Sequence, residues 1–324
     1  MDDDGTDSYD GTLCRHRRLG YVVVKTASAT ANGVRAALPA PYALLTLGVG
    51  AASVAPILIR YASGADALAI SFWRCAAGAL VLLPFAWRRL KTMPRDAFIL
   101  PAIAGLFLAA HFASWISSLD YTSVAASVVL VSTTPIFVAL TQSLILKEPQ
   151  APGVWLGIGL GLAGTALVGG ADFGGQSLTG DFLALIGGAS AAGYVLAGRR
   201  SRQDLGILEY AVVTYGVAAA VLLIACASRG AALGDYPAGT WWAIAGLIVG
   251  PQLLGHTVIN LVLSDIDATT VSMSVMAEPV VATVLAYLLF SEVPSALVYP
   301  GGAAILVGIY RVTRATRVPA VIVE

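Results

Sequence analysis

Glu278 stands beside Pro279 in the middle of a long apolar run, a depth at which an ionisable side chain costs about 3 kcal/mol to insert. A carboxyl kept there suits two chemistries: it can carry a proton, or it can hold a cationic group of a solute. Paired with an Arg, or protonated and hydrogen-bonded between helices, it would instead be structural. Arg74 lies inside another apolar run and keeps its charge. Its bidentate fork can grip a solute carboxylate, it can neutralise Glu278, or it can snorkel toward the nearer membrane surface. The sequence leaves all three open.

Other polar residues fall at helical spacing. Gln252, His256 and Asn260 recur every fourth residue and form one stripe on an apolar helix. His111, Trp115 and Ser118 share a face of another. Such faces are expected to line a shared, water-accessible cavity; interhelical hydrogen bonding is the plainer alternative. His256 is also a candidate proton relay. Thr134 precedes Pro135 as Glu278 precedes Pro279. Each proline removes a backbone donor and frees a carbonyl one turn back. Paired interruptions at corresponding places point to a transporter's binding site, so Pro135 and Pro279 are expected to kink their helices and shape the cavity.

These residues need ten helices to position them. Of the 324 residues, 57% are hydrophobic before 34 glycines are counted, and only 12% are charged. A soluble protein carries about twice that share of charge. The composition therefore requires a bilayer. The net charge is zero, 19 basic against 19 acidic residues, so no global field draws the chain to nucleic acid. Cys14, Cys75 and Cys226 lie far apart and offer neither CxxC nor zinc spacing; no metal or cofactor is expected. The polar first forty residues do not form a signal peptide and read as a mobile cytoplasmic tail or as the product of a start codon placed too far upstream.

About 20 apolar residues cross the hydrocarbon core. Ten such runs occur, at 41–60, 67–87, 98–118, 122–146, 151–170, 181–197, 207–227, 240–263, 268–290 and 294–313. With the N-terminus inside, the cytoplasmic segments hold sixteen Lys and Arg residues: five in the N-tail, Arg88, Arg89, Lys91, Arg95, Lys147, Arg199, Arg200, Arg202, Arg311, Arg314 and Arg317. Only Arg60 and Arg229 fall outside. That bias puts both termini in the cytoplasm.

An offset of 144 residues brings Pro135 onto Pro279, Glu148 onto Glu292, Gly157 onto Gly301 and Gly164 onto Gly308. At 145, His111 meets His256 and Asp120 meets Asp265; at 141, Arg88 meets Arg229, and at 139, Arg60 meets Arg199. The repeat unit is five helices. Five is odd, so the second copy enters from the opposite face, the arrangement of alternating-access transporters. Gly153, Gly157 and Gly161 form a small-residue face for close packing, within the protomer or across a homodimer contact.

The expected fold is therefore an all-α integral membrane protein of ten transmembrane helices in two inverted five-helix repeats. The repeats span 41–170 and 171–313, flanked by tails at 1–40 and 314–324. TSVAASVVLVSTTPIFVALTQSLILKEP (122–149), ATTVSMSVMAEPVVATVLAYLLFSEVP (268–294) and SFWRCAAGALVLLP (71–84) resemble helices of the drug/metabolite transporter superfamily, specifically its EamA-type permeases. The resemblance runs from about residue 41 to 313 and implies secondary transport, commonly efflux of amino acids or other small metabolites. Efflux with proton antiport through the cell membrane is the favoured expectation, with a small solute, protons and lipid as partners. The alternatives are a nucleotide-sugar or sugar-phosphate carrier of the same superfamily and a non-transporting membrane partner. An enzyme is not expected, because HExxH, GxSxG and paired metal ligands are missing.

Overall fold

The computed structural model describes residues 41–62, 64–118, 120–122, 124–169, 178–290, 293 and 295–317. The expected tail 1–40, Glu292 and residues 171–177 and 318–324 lie outside them.

The described residues are helical, with no strand. In chain order the helices are α1 (Pro41–Ala52), α2 (Ala55–Tyr61), α3 (Ala67–Thr92), a 3-10 turn (Arg95–Phe98), α4 (Ile99–Ser118), α5 (Val124–Val131) and α6 (Thr134–Leu144). They continue as α7 (Pro152–Gly169), α8 (Leu178–Ser201), α9 (Ile207–Arg229), α10 (Ala238–Leu247), a π-helix (Ile248–His256), α11 (Thr257–Val262), α12 (Ala268–Val275), α13 (Glu278–Phe290) and α14 (Val298–Arg317). Nine helical stretches among the described residues are long and apolar enough to cross a bilayer. The tenth expected span, 294–313, overlaps α14, which is not among those nine and is less apolar because Arg311, Arg314 and Arg317 occupy its last turns. α3 also runs past its expected end at 87 to Thr92, capped at its start by Asp66 accepting from the Leu68 N–H at 2.8 Å.

Proline dictates where the spans break. Pro56 and Pro135 stand in the first turn of α2 and α6, where a missing N–H costs nothing. Pro279 does the same in α13, after the turn at Met276 and Ala277. Pro251 lies within the π-helix instead, a wider winding that recurs at functional sites. At the α5–α6 break, Thr134 Oγ1 donates to the Val131 carbonyl at 2.8 Å, the carbonyl that Pro135 frees.

Glycine sets the closest helix approach. A Cβ at Gly157 would lie 2.8 Å from the Gly308 carbonyl oxygen, and one at Gly164 only 2.5 Å from that of Gly301. α7 and α14 therefore run antiparallel with their backbones in contact. α4 and α8 also pair antiparallel, with Trp115 against Gly187 and Phe107 against Gly193.

Candidate functional site

The broken helices surround a cavity of about 310 Å³, walled by α3, α4, α8, the π-helix and the two ends at each of the breaks before Pro56, Pro135 and Pro279. Its surface is mostly aliphatic and aromatic, a lining in which a few polar groups fix orientation. Arg74, His111, Trp115, Thr134, His256 and Glu278 are among those groups, and Pro135 and Pro279 lie in the wall.

Arg74 projects from α3 and is only 1% exposed, so it does not snorkel. Its guanidinium lies over the Phe112 ring, 4.5 Å from the centroid, a favourable cation–π position. Its Nε and Nη1 have no hydrogen-bond partner. Glu278 opens α13, where the helix N-terminus favours negative charge. The two residues are close enough to interact electrostatically. Among the described residues, though, none of the ion pairs within 4 Å joins them.

The histidines are held differently. His111 Nδ1 lies 2.9 Å from the Gly187 carbonyl oxygen, which fixes Nδ1 as the protonated nitrogen of the neutral ring. That ring stacks on Trp115 at 5.7 Å and 10°. His256 meets the edge of Phe112 at 5.5 Å. Thr134 faces the cavity, but its hydroxyl is engaged by the Val131 and Gly188 carbonyls, at 2.8 and 3.1 Å.

Gln252 and Asn260 depart from the wall. The sequence puts them on one face with His256, but the π-helix closes i→i+5 bonds, as from the Thr257 N–H to the Gln252 carbonyl. From Gln252 to His256, four residues then no longer return a side chain to the same face; Asn260 lies beyond the π-helix, in α11. Gln252 is 0% exposed, and Asn260 donates to the Tyr194 hydroxyl and the His256 carbonyl. Phe112, Pro56 and Pro251 are wall residues that polar spacing misses. A scan for every mid-span proline finds the last two.

A second polar cluster closes one end of the helix array. Arg199 Nη1, at the end of α8, lies 2.8 Å from Glu148 Oε2 and 3.5 Å from Asp267 Oδ2. Gln142 Nε2 donates to the same two oxygens at 3.1 Å each, and Gln142 Oε1 accepts from Thr269 Oγ1 at 2.6 Å. Asp267 Oδ1 caps α12 through the Thr269 N–H at 2.8 Å. Burial of Glu148 works against its charged form. The hydrogen bonds from Gln142 and Arg199, with the guanidinium charge, outweigh that and hold its carboxyl below the usual range.

Comparison with known proteins agrees with this architecture. The chain is 26% identical over 245 residues to the uncharacterized transporter YdfC of Bacillus subtilis (strain 168), covering 74% of this chain and 79% of that protein. It is 25% identical over 277 residues to the uncharacterized transporter YyaM of the same organism, covering 82% and 90%. An uncharacterized transporter of Archaeoglobus fulgidus matches at 25% over 247 residues, covering 76% and 86%. A solved protein crystal structure, 19% identical, superposes with a TM-score of 0.70 over 86% of this chain and 98% of that one, and shows the fold. The names of these relatives, the apolar helices and the match to a family model of the drug/metabolite transporter superfamily point to a multi-pass membrane transporter rather than an enzyme. The model of the EamA-like transporter family matches residues 40–170 and again 178–314, so the chain belongs to that family.

Proposed function

We propose that this protein is a secondary-active permease that exports a small organic metabolite, an amino acid or related compound, by alternating access, with proton coupling at Glu278. The observation that carries the reading is a buried guanidinium and a carboxyl facing one cavity of about 310 Å³ without pairing. A zwitterion satisfies both: its carboxylate meets Arg74, and its ammonium meets Glu278. A proton on Glu278 competes with that ammonium, which couples solute to proton by antiport. One buried guanidinium suits one carboxylate better than a phosphate dianion, so the sugar-phosphate alternative is disfavoured.

The two five-helix halves, 41–170 and 171–313, are read as inverted repeats, with both termini cytoplasmic in the cell membrane. The family model matching twice supports this reading. So does a reciprocal contact: Gly157 and Gly164 correspond in sequence to Gly301 and Gly308, yet Gly157 touches Gly308 and Gly164 touches Gly301. A two-fold axis between α7 and α14 produces that crosswise pattern. A homodimer would use the exposed apolar faces that otherwise meet lipid.

Thermal unfolding of the purified protein against amino acids, their decarboxylated amines and their deaminated acids tests the substrate class. A ligand that binds the folded state raises the melting temperature. Stabilisation by some zwitterions and by neither of their one-charge analogues is the expected result. Stabilisation by the analogues alone contradicts it.

A further inference from the structure

The Gln142–Glu148–Arg199–Asp267–Thr269 cluster joins parts of the chain that the cavity keeps apart. Gln142 and Glu148 belong to the first segment matched by the family model, and Arg199, Asp267 and Thr269 to the second. Gln142 lies eight residues along α6 from Thr134, about 12 Å of helix, and Thr269 precedes Glu278 by nine residues, about 14 Å. The cluster thus ties together the far ends of the two spans whose breaks face the cavity.

Its chemistry is that of a closed contact that can separate. Two carboxylates, Glu148 and Asp267, meet across the join, and like charges repel. Arg199 neutralises one of them, and the Gln142 amide gives a hydrogen to each. The side chains of Arg199 and Asp267 are 25% and 22% exposed and that of Glu148 is 47% exposed, so water can replace every bond when the ends part. Gln142 is 1% exposed and bonded on both sides of its amide, so it holds α6 to α12 while the contact is made.

We infer that this cluster is the gate that shuts the cavity toward the membrane face on which residue 148 lies, and that it opens when α6 and α12 separate about their proline breaks. The inference rests on the alternating-access reading of the cavity and names the residues that govern one of its two states. Arg199 is the controlling group, because its loss leaves two carboxylates facing each other.

The test is the access of a membrane-impermeant methanethiosulfonate to a thiol in the cavity wall, supplied by Ser132→Cys in a Cys14→Ser background. The same protein without the added thiol is the blank. Labelling is timed in right-side-out and inside-out vesicles. From the face bearing residue 148, Arg199→Gln is expected to label about tenfold faster than the parent, the effect of removing charge-assisted hydrogen bonds, and Arg199→Lys is expected to return most of the way. From the opposite face labelling is expected to fall, because opening one side closes the other; general loosening of the fold would raise both. If Arg199→Gln does not reach the membrane folded, Glu148→Gln carries the test with a smaller rise on the same face. Parent-like rates in the folded variants, or a rise on both faces, overturn the gate. Absence of labelling from either face in every variant overturns the cavity as the solute route, a different failure.

Discussion

Arg74 and Glu278 share a cavity without forming an ion pair. The guanidinium stacks on Phe112, and two of its nitrogens lack hydrogen-bond partners. A buried charge left in that condition destabilises the fold unless something else satisfies it. Of the three roles open to Arg74 in the sequence, burial eliminates snorkelling, and the missing contact removes a direct salt bridge with Glu278. Recognition of a solute anion is the role proposed for it.

Arg74→Lys keeps the charge and loses the fork. Carboxylate recognition that relies on two parallel N–H donors should weaken about tenfold, while Arg74→Gln should abolish it. Titration of the melting temperature with whichever zwitterion stabilises the parent measures both. Unchanged affinity in Arg74→Gln would move the carboxylate site elsewhere.

The Glu148 contact should depend on pH in one direction. Its carboxyl binds a proton more weakly in the cluster than when free, so the cluster's stabilisation is complete above the ordinary carboxylate value of about 4.3. It is lost as the pH falls through the lower value held in the cluster. Arg199, Gln142 and Asp267 are the groups that face it. The melting-temperature difference between the parent and Glu148→Gln should stay constant from pH 8 to about pH 5.5 and shrink below about pH 4.5. A difference that grows on acidification would reverse the assigned charge states.

Gly164→Ala and Gly159→Ala should part company. A methyl at Gly164 lies 2.5 Å from the Gly301 carbonyl oxygen, whereas one at Gly159 meets nothing within 4 Å. Overpacking at the first should cost about 1–3 kcal/mol. At the second, better helix propensity should leave stability equal or slightly raised. Equal melting temperatures for the two variants would mean that α7 and α14 are not in backbone contact.

Opposed repeats make a topological prediction. Reporter domains fused after residue 148 and after residue 292 should report opposite sides of the membrane, the first cytoplasmic. The same side for both would remove the inverted repeat and the alternating-access reading with it.

Apolar length and mid-span proline made most of the fold legible. Runs of about 20 residues predict the helices, and Pro135 and Pro279 mark two breaks that face the cavity. The membrane's penalty on charge singled out Arg74 and Glu278. Periodicity failed where the helix changed its period: the π-helix around Pro251 turns Gln252 out of the wall that His256 lines, while Asn260, in the α-helical turn that follows, bonds to Tyr194 and the His256 carbonyl. The gate cluster was illegible for another reason. Gln142 and Asp267 stand 125 residues apart and look like ordinary loop-end polar residues until the fold joins them. Glu148 was visible as a repeat landmark, and Arg199 as a landmark and a cytoplasmic charge.

Export of a small metabolite through the cavity at Glu278 should leave a trace outside the cell. Untargeted mass spectrometry of medium and cell extract tests it most directly, comparing cells that make the parent protein with cells that make Glu278→Gln at matched membrane levels. At least one zwitterionic metabolite is expected to accumulate in the medium, and to fall in the extract, only with the parent. Identical metabolite profiles in both compartments would contradict it.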